Sequence, residues 1–135
     1  MSPTPNKASR RILVADDDPV MRRVVSRVLS DAGYRVVLAN DGREAYRILQ
    51  VDADFRAAIF DMRMPHLHGI DIIRYMRTEK RLMRIPVVMM TADQNLTVQG
   101  ESFAAGATAF LLKPFTTQNV QTILRLLGNG EGALA

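Results

Sequence analysis

Five short apolar runs punctuate the chain, and each is followed by a longer stretch with apolar residues at helical spacing. The runs are Ile12–Ala15, Arg35–Ala39, Ala57–Phe60, Pro86–Met90 and Ala109–Leu112. They are apolar nearly throughout rather than alternating, which predicts parallel strands covered on both faces. Val20, Val24, Val25, Val28, Leu29 and Ala32 share one helical stripe, with Gly33 as its stop. Ala45, Ile48 and Leu49 mark a second helix, started by Asn40-Asp41-Gly42. Ile70, Ile73 and Met76 mark a third, opened after Pro65 and Gly69. A fourth, Asn95 to Ala105, is weakly periodic. Its interior Gly100 costs about 1 kcal/mol against alanine, so it is expected to be the loosest helix. Val120, Ile123, Leu124 and Leu127 mark the fifth. This alternation predicts an α/β fold, an open, doubly wound parallel sheet of five strands with five helices. One domain is expected over residues 10–127. Residues 1–9 are expected to be a disordered tail, and residues 128–135 a flexible tail or the start of a linker.

Composition narrows the function classes. A chain of 135 residues builds a sufficient core without a staple. It has no cysteine, which excludes a disulfide scaffold, a thiolate metal site and a cysteine nucleophile. No apolar run approaches the roughly 20 residues that span a bilayer. Met1–Ser9 lacks the apolar core of a signal peptide. A cytoplasmic protein with no membrane contact is therefore expected. The net charge of +4 invites a nucleic-acid partner. Yet the basic residues are scattered, with Arg10, Arg11, Arg22, Arg23 and Arg27 the densest group, and few aromatics accompany them. Solvated basic helix faces explain them better, and direct nucleic-acid binding is not expected.

In open α/β sheets, ligands bind outside the carboxyl ends of the strands. Asp16, Asp17 and Asp18 follow the first run, Asp61 the third, Thr91 the fourth and Lys113 the fifth. The second ends in Asn40-Asp41, which reads as helix-capping chemistry, and its absence from the site is natural if that strand is an outer one. Asp16, Asp17 and Asp61 repel one another unless a cation is present. With no His or Cys among them the ligands are all oxygen, which favours Mg²⁺. A lysine aimed at the same place makes sense when a further anion arrives, such as a phosphoryl group on Asp61.

These residues carry a family resemblance. Ile12-Leu13-Val14-Ala15-Asp16-Asp17-Asp18, Asp61-Met62-Arg63-Met64-Pro65 with Gly69, Thr91-Ala92 and Lys113-Pro114-Phe115 resemble the response-regulator receiver family of two-component signalling. Met21-Arg22-Arg23 resembles the chemotaxis members of that family. The likeness runs from about Arg11 to Leu127. It implies a flavodoxin/CheY-like sheet in the order 2-1-3-4-5. It also implies that Asp61 accepts a phosphoryl group from a histidine kinase or histidine phosphotransfer protein. Asp17 and Asp61 would bind Mg²⁺ directly (Mn²⁺ can substitute), Asp16 mainly through water, and the Arg63 backbone carbonyl would complete the protein ligands. Thr91 would hydrogen-bond the phosphoryl group and Lys113 would pair with it. Thr91 would then move and Phe110 rotate inward, switching a face built from the fourth helix, fifth strand and fifth helix. A downstream protein target or a fused effector domain would take up the signal, and a phosphorylation-dependent homodimer is compatible with it.

Plainer roles compete at several positions. Asp18, before Pro19, reads as a helix cap, whereas capping does not require Asp16 and Asp17 as well. Thr91 has a capping role open to it at the fourth helix. The Lys113-Pro114 bond is expected to be cis, as in the resembled family. His66 and His68 lack a third nearby ligand and read as solvated, although His68 departs from the small or acidic residue common before Gly69. The side chain of Arg63 is expected to overhang the site entrance, where three roles are open to it: attracting phosphodonors, shielding the acyl phosphate from water, or pairing with Asp93 in a gate that would lengthen the phosphorylated lifetime. Haloacid-dehalogenase-type phosphatases need a second aspartate two residues after the first, and Arg63 stands there, so turnover of an outside substrate is not expected. The alternative is a docking module that works without phosphorylation.

Overall fold

The computed structural model describes residues 9–92, 95–113 and 115–128. β1 (Arg11–Ala15), β2 (Arg35–Ala39), β3 (Ala57–Asp61), β4 (Val87–Thr91) and β5 (Ala109–Leu112) form one parallel sheet in the order β2-β1-β3-β4-β5. The helices between and after them are α1 (Pro19–Asp31), α2 (Gly42–Val51), α3 (Gly69–Thr78), α4 (Leu96–Ala105) and α5 (Thr117–Gly128).

Side chains along a strand alternate between the two faces of the sheet, and two cores result. Leu13, Ala15, Ala58, Phe60, Val87 and Met89 pack with Ala45 and Leu49 of α2 and with Ile72, Ile73 and Met76 of α3. Ile12, Val14, Ile59, Val88, Met90 and Leu111 pack with Val25, Val28 and Leu29 of α1 and with Val120 and Leu124 of α5. Each large side chain buried this way contributes about 1.5–3 kcal/mol relative to exposure. Helices on both faces leave the carboxyl edge of the sheet open for a site.

Details depart from the sequence pattern. Val20 and Val24 remain 58% and 43% exposed, because at about 100° per residue they lie on the flank of α1 while Val25, Val28 and Leu29 face the sheet. Ile72 rather than Ile70 joins Ile73 and Met76 in the core. β2 is not covered on both faces: Leu38 is exposed, as befits an outer strand at the margin of the helix layers. β3 and β4 each run one residue further than expected and end on Asp61 and Thr91 themselves. α1 does stop at Gly33, whose φ of +92° lets the Gly33 and Tyr34 amides donate back to Ser30 and Leu29.

α4 buries fully only Ser102, whose hydroxyl donates to the Val98 carbonyl at 3.1 Å. A methyl group at Gly100 would meet nothing within 4 Å. Gly100→Ala is therefore expected to raise stability by about 0.5–1 kcal/mol, measured by urea unfolding.

The start of β1 is tied to the end of α2 by a bidentate pair, Arg11 Nη2 to Asp52 Oδ2 at 2.8 Å and Nη1 to Oδ1 at 3.0 Å. The Arg11 hydrogen bond holds the Asp52 carboxyl below its ordinary value. A carboxylate with a depressed folded pKa stabilises fully above the unfolded value of about 3.9 and loses that effect as pH falls through the folded one. Asp52→Asn should cost about 0.5–1 kcal/mol at pH 7. The difference from wild type should close as unfolding is followed down through pH 4 to pH 2.

Candidate functional site

The carboxyl ends of β1, β3, β4 and β5 meet at one edge. Asp16 and Asp17 follow β1 directly. Asp16 is fully buried, its amide donates to Ala39 O at 3.3 Å, and its Oδ1 accepts the Asp18 amide at 2.9 Å. Asp18 is the cap its sequence context indicated: its carboxylate accepts the Val20 amide at 2.9 Å, and Pro19 opens α1. In the same way Asp41 caps α2 by accepting from the Glu44 amide at 2.9 Å. Asp61 is buried at the end of β3, in register with Met90 of β4.

Carboxylate oxygens of Asp16, Asp17 and Asp61 all lie within 4.8 Å of one another. Lys113 enters from the end of β5, with Nζ 3.3 Å from Asp61 Oδ2 and 3.5 Å from Asp16 Oδ2. Its amide donates to Thr91 O at 2.8 Å, so the chain leaving β5 is tied to the end of β4. Burial pushes the Asp16 carboxyl above its ordinary range, and Asp61 adds to the rise. The Asp18 amide and the charge of Lys113 act against it. Three carboxylates facing one ammonium leave an excess of negative charge at this edge, which a hard divalent cation would neutralise.

The loop from Met62 to His68 frames one side. It leaves β3 as the Met62 amide donates to Met90 O at 2.9 Å and returns as the Gly69 amide donates to Met62 O at 3.1 Å. The closure is tight: a methyl group at Gly69 would stand 2.6 Å from Asp61 O and 2.7 Å from the Met89 methyl. The Arg63 amide lies 3.4 Å from Asp61 Oδ1, and its side chain is exposed. Arg63 lines a groove of about 340 Å³ with Met62, His68, Ile70 and the α4 residues Val98, Glu101 and Ser102. Asp93 and Pro114 lie outside the described residues, and with them the Arg63–Asp93 pair and the cis peptide expected there.

Thr91 is 3% exposed and does not cap α4; Asn95 does, accepting the Thr97 amide at 2.8 Å. Phe110 meets Phe103 of α4 edge-to-face, with ring centroids 4.8 Å apart and planes at 67°. His68 stands at the start of α3, where its amide donates to Asp71 Oδ2 at 3.0 Å and its Nδ1 faces the Met64 amide at 3.4 Å. His66 has its Nδ1 3.3 Å from Arg43 Nη2. Neither histidine joins a metal-sized cluster among the described residues. Sequence reasoning missed Arg22, whose Nη1 donates to Asp16 O at 2.7 Å and braces the turn that presents the acidic pair. Its signals were its place in the first turns of α1, directly after that pair, and the Met21-Arg22-Arg23 likeness.

Comparison with known proteins bears on the family and the fold. Residues 12–125 match the family model described as response regulator receiver domain. The chemotaxis protein CheY1 of Helicobacter pylori is 34% identical over 118 residues, covering 87% of this chain and 95% of that protein. The chemotaxis protein CheY of Pseudomonas aeruginosa is 36% identical over 109 residues, covering 80% and 87%. Among solved structures, the chemotaxis response regulator CheY4 of Vibrio cholerae superposes with a TM-score of 0.82 at 33% identity, covering 88% of this chain and 98% of that one. The receiver domain of the sensor histidine kinase PA1611 of Pseudomonas aeruginosa, solved with a magnesium ion coordinated in the active site cleft, gives a TM-score of 0.82 at 30% identity, covering 90% and 98%. The chain belongs to the response regulator receiver domain family, the signalling modules of two-component systems.

Proposed function

We propose that Asp61 is the phospho-acceptor of a two-component switch, charged by a histidine kinase or histidine phosphotransfer protein in a Mg²⁺-dependent reaction. The observation that carries this is Lys113 Nζ, set between the Asp16 and Asp61 carboxylates at 3.5 and 3.3 Å within a cluster of three acids. A structural ion site gains nothing from a competing ammonium. A site that must later hold a phosphoryl group does.

The donor set fits a hard cation, since it is all oxygen, with three carboxylates within 4.8 Å of one another. Asp17, Asp61 and the Arg63 carbonyl would hold Mg²⁺ or Mn²⁺, with Asp16 acting through water. When bound, the ion neutralises charge on the transferring phosphoryl oxygens. The relative solved with magnesium in its active site cleft supports magnesium as the ion.

In the transfer step a carboxylate oxygen of Asp61 attacks phosphorus in line. The bond between phosphorus and the donor imidazole nitrogen breaks, and the nitrogen keeps the electron pair. The product is an acyl phosphate on Asp61. Lys113 exchanges its contact with Asp61 for one with the phosphoryl oxygens, and Thr91 donates its hydroxyl to them. Arg63, exposed beside the cluster, shields the acyl phosphate from water. Phe110 leaves Phe103 and turns inward behind Thr91, which alters the face of α4, β5 and α5 offered to a target, an effector domain or a second copy.

Isothermal titration with Mg²⁺ tests the ion site. One ion per chain should bind, and Asp17→Asn should weaken it at least about 10-fold by removing an exposed carboxylate ligand. Unchanged affinity in Asp17→Asn would overturn the assignment.

A further inference from the structure

The first turn of α2 lies against the loop that carries the Arg63 carbonyl, although no residue of α2 stands in the acidic cluster. Gly42 is the first residue of that helix and is buried. A methyl group built on it would overlap Leu67 O and fall 2.8 Å from both Leu67 C and Leu67 Cβ. Backbone atoms cannot give way as a flexible side chain can. Any residue other than glycine at position 42 must therefore displace the loop or the helix.

The neighbouring residue makes a second contact. Arg43 Nη2 is 3.3 Å from His66 Nδ1, which must then be the unprotonated acceptor nitrogen. His66 has a φ of +73°, the one left-handed non-glycine residue among those described. An L-residue keeps that conformation only when its surroundings over-determine it. Here the surroundings are the Arg43 contact on one side and the Leu67 amide bond to Pro65 O at 2.8 Å on the other. The far end of the loop is fixed to β3 and β4 through Met62 and Gly69.

We infer that Gly42 and Arg43 are positioning residues for the ion site: they press and hold the 62–68 loop so that the Arg63 carbonyl is presented toward Asp61. Gly42 acts by lacking a side chain, and Arg43 by holding His66 in its left-handed conformation. This rests on the Mg²⁺ site proposed above. It also gives α2 a route to tune that site without contributing a ligand.

The test compares ion affinity with fold stability. Mn²⁺ affinity is read by electron paramagnetic resonance of the free ion, and stability by thermal unfolding without metal. Arg43→Ala removes an exposed side chain and should leave Tm within a degree or two. It should weaken Mn²⁺ binding about 3- to 10-fold. Phosphorylation by acetyl phosphate should need correspondingly more metal yet reach the wild-type rate at saturation, an effect on half-saturation and not on maximal rate. Gly42→Ala should weaken Mn²⁺ binding further, by 10-fold or more. If Gly42→Ala does not fold, Arg43→Ala decides alone.

His66→Gly separates strain from positioning. It should raise Tm by relieving the left-handed residue and keep Mn²⁺ binding near wild type, since glycine adopts that conformation without the arginine's hold. Wild-type Mn²⁺ affinity in Arg43→Ala overturns the inference, as does wild-type affinity in a folded Gly42→Ala. Asp17→Asn is the control. If it loses Mn²⁺ while the α2 variants do not, the inference fails and the ion site stands. If the wild-type chain binds no ion, both fail.

Discussion

Asp61→Asn should abolish phosphoryl uptake from both acetyl phosphate and a phosphohistidine donor, at least about 10³-fold below wild type. The amide is nearly isosteric but has no anionic oxygen to attack phosphorus. Its other effect has the opposite sign. Asp61 is buried beside Asp16, whose carboxyl is already pushed up by burial and by Asp61 itself. Neutralising Asp61 removes a repulsion from the ion-free protein, so its melting temperature should hold or rise by a few degrees. Lost chemistry with retained or improved stability is the signature of a group kept for function. A loss of both would mean that Asp61 holds the fold together.

Lys113→Ala should produce the second large effect. Lys113 Nζ lies within 3.5 Å of both Asp16 and Asp61, and its side chain is only 19% exposed. Without it, developing charge on the phosphoryl group loses a preorganised cation, and phosphorylation should slow about 10²- to 10³-fold. The ion-free protein should also lose about 2 kcal/mol, because two buried carboxylates are left without their counter-charge. Mg²⁺ affinity should instead rise several-fold, since an ammonium no longer competes for the same negative field. Saturating Mg²⁺ should then restore most of the lost stability, because a ligand that binds only the folded state stabilises it by mass action. Calorimetry and thermal unfolding with and without Mg²⁺ read both effects on one sample. Weaker Mg²⁺ binding in Lys113→Ala would contradict the competition.

Much of this was legible in the order of residues. Parallel strands read plainly because β1, β3 and β4 are buried on both faces and so are apolar throughout. A run of that kind also marks where it ends, since the first polar residue stands at the sheet edge. That is why Asp16, Asp61, Thr91 and Lys113 could be named before their distances were known. The caps at Asp18 and Asp41 read equally well, because capping is a local hydrogen bond between residues two or three apart.

What failed to read depends on neighbours distant in sequence. The composition of α1 does not reveal that Val24 points along the flank while Val25 faces the sheet. The apolar run of β2 does not say that it forms the outer strand and leaves Leu38 exposed. The contact of Gly42 with Leu67 joins residues whose adjacency exists only once α2 and the loop after β3 are packed. The left-handed His66 was not legible, since histidine visits φ > 0 more often than most residues but far too seldom for its identity to mark the position.

The most direct measurement is the intact mass of the chain after incubation with acetyl phosphate, with and without Mg²⁺, beside Asp61→Asn. A gain of about 80 Da that requires both Mg²⁺ and Asp61 is the predicted result, one phosphoryl group on one carboxylate. No gain from acetyl phosphate and none from a histidine-phosphorylated donor would contradict the switch, and would leave the domain as a docking module that works without phosphorylation.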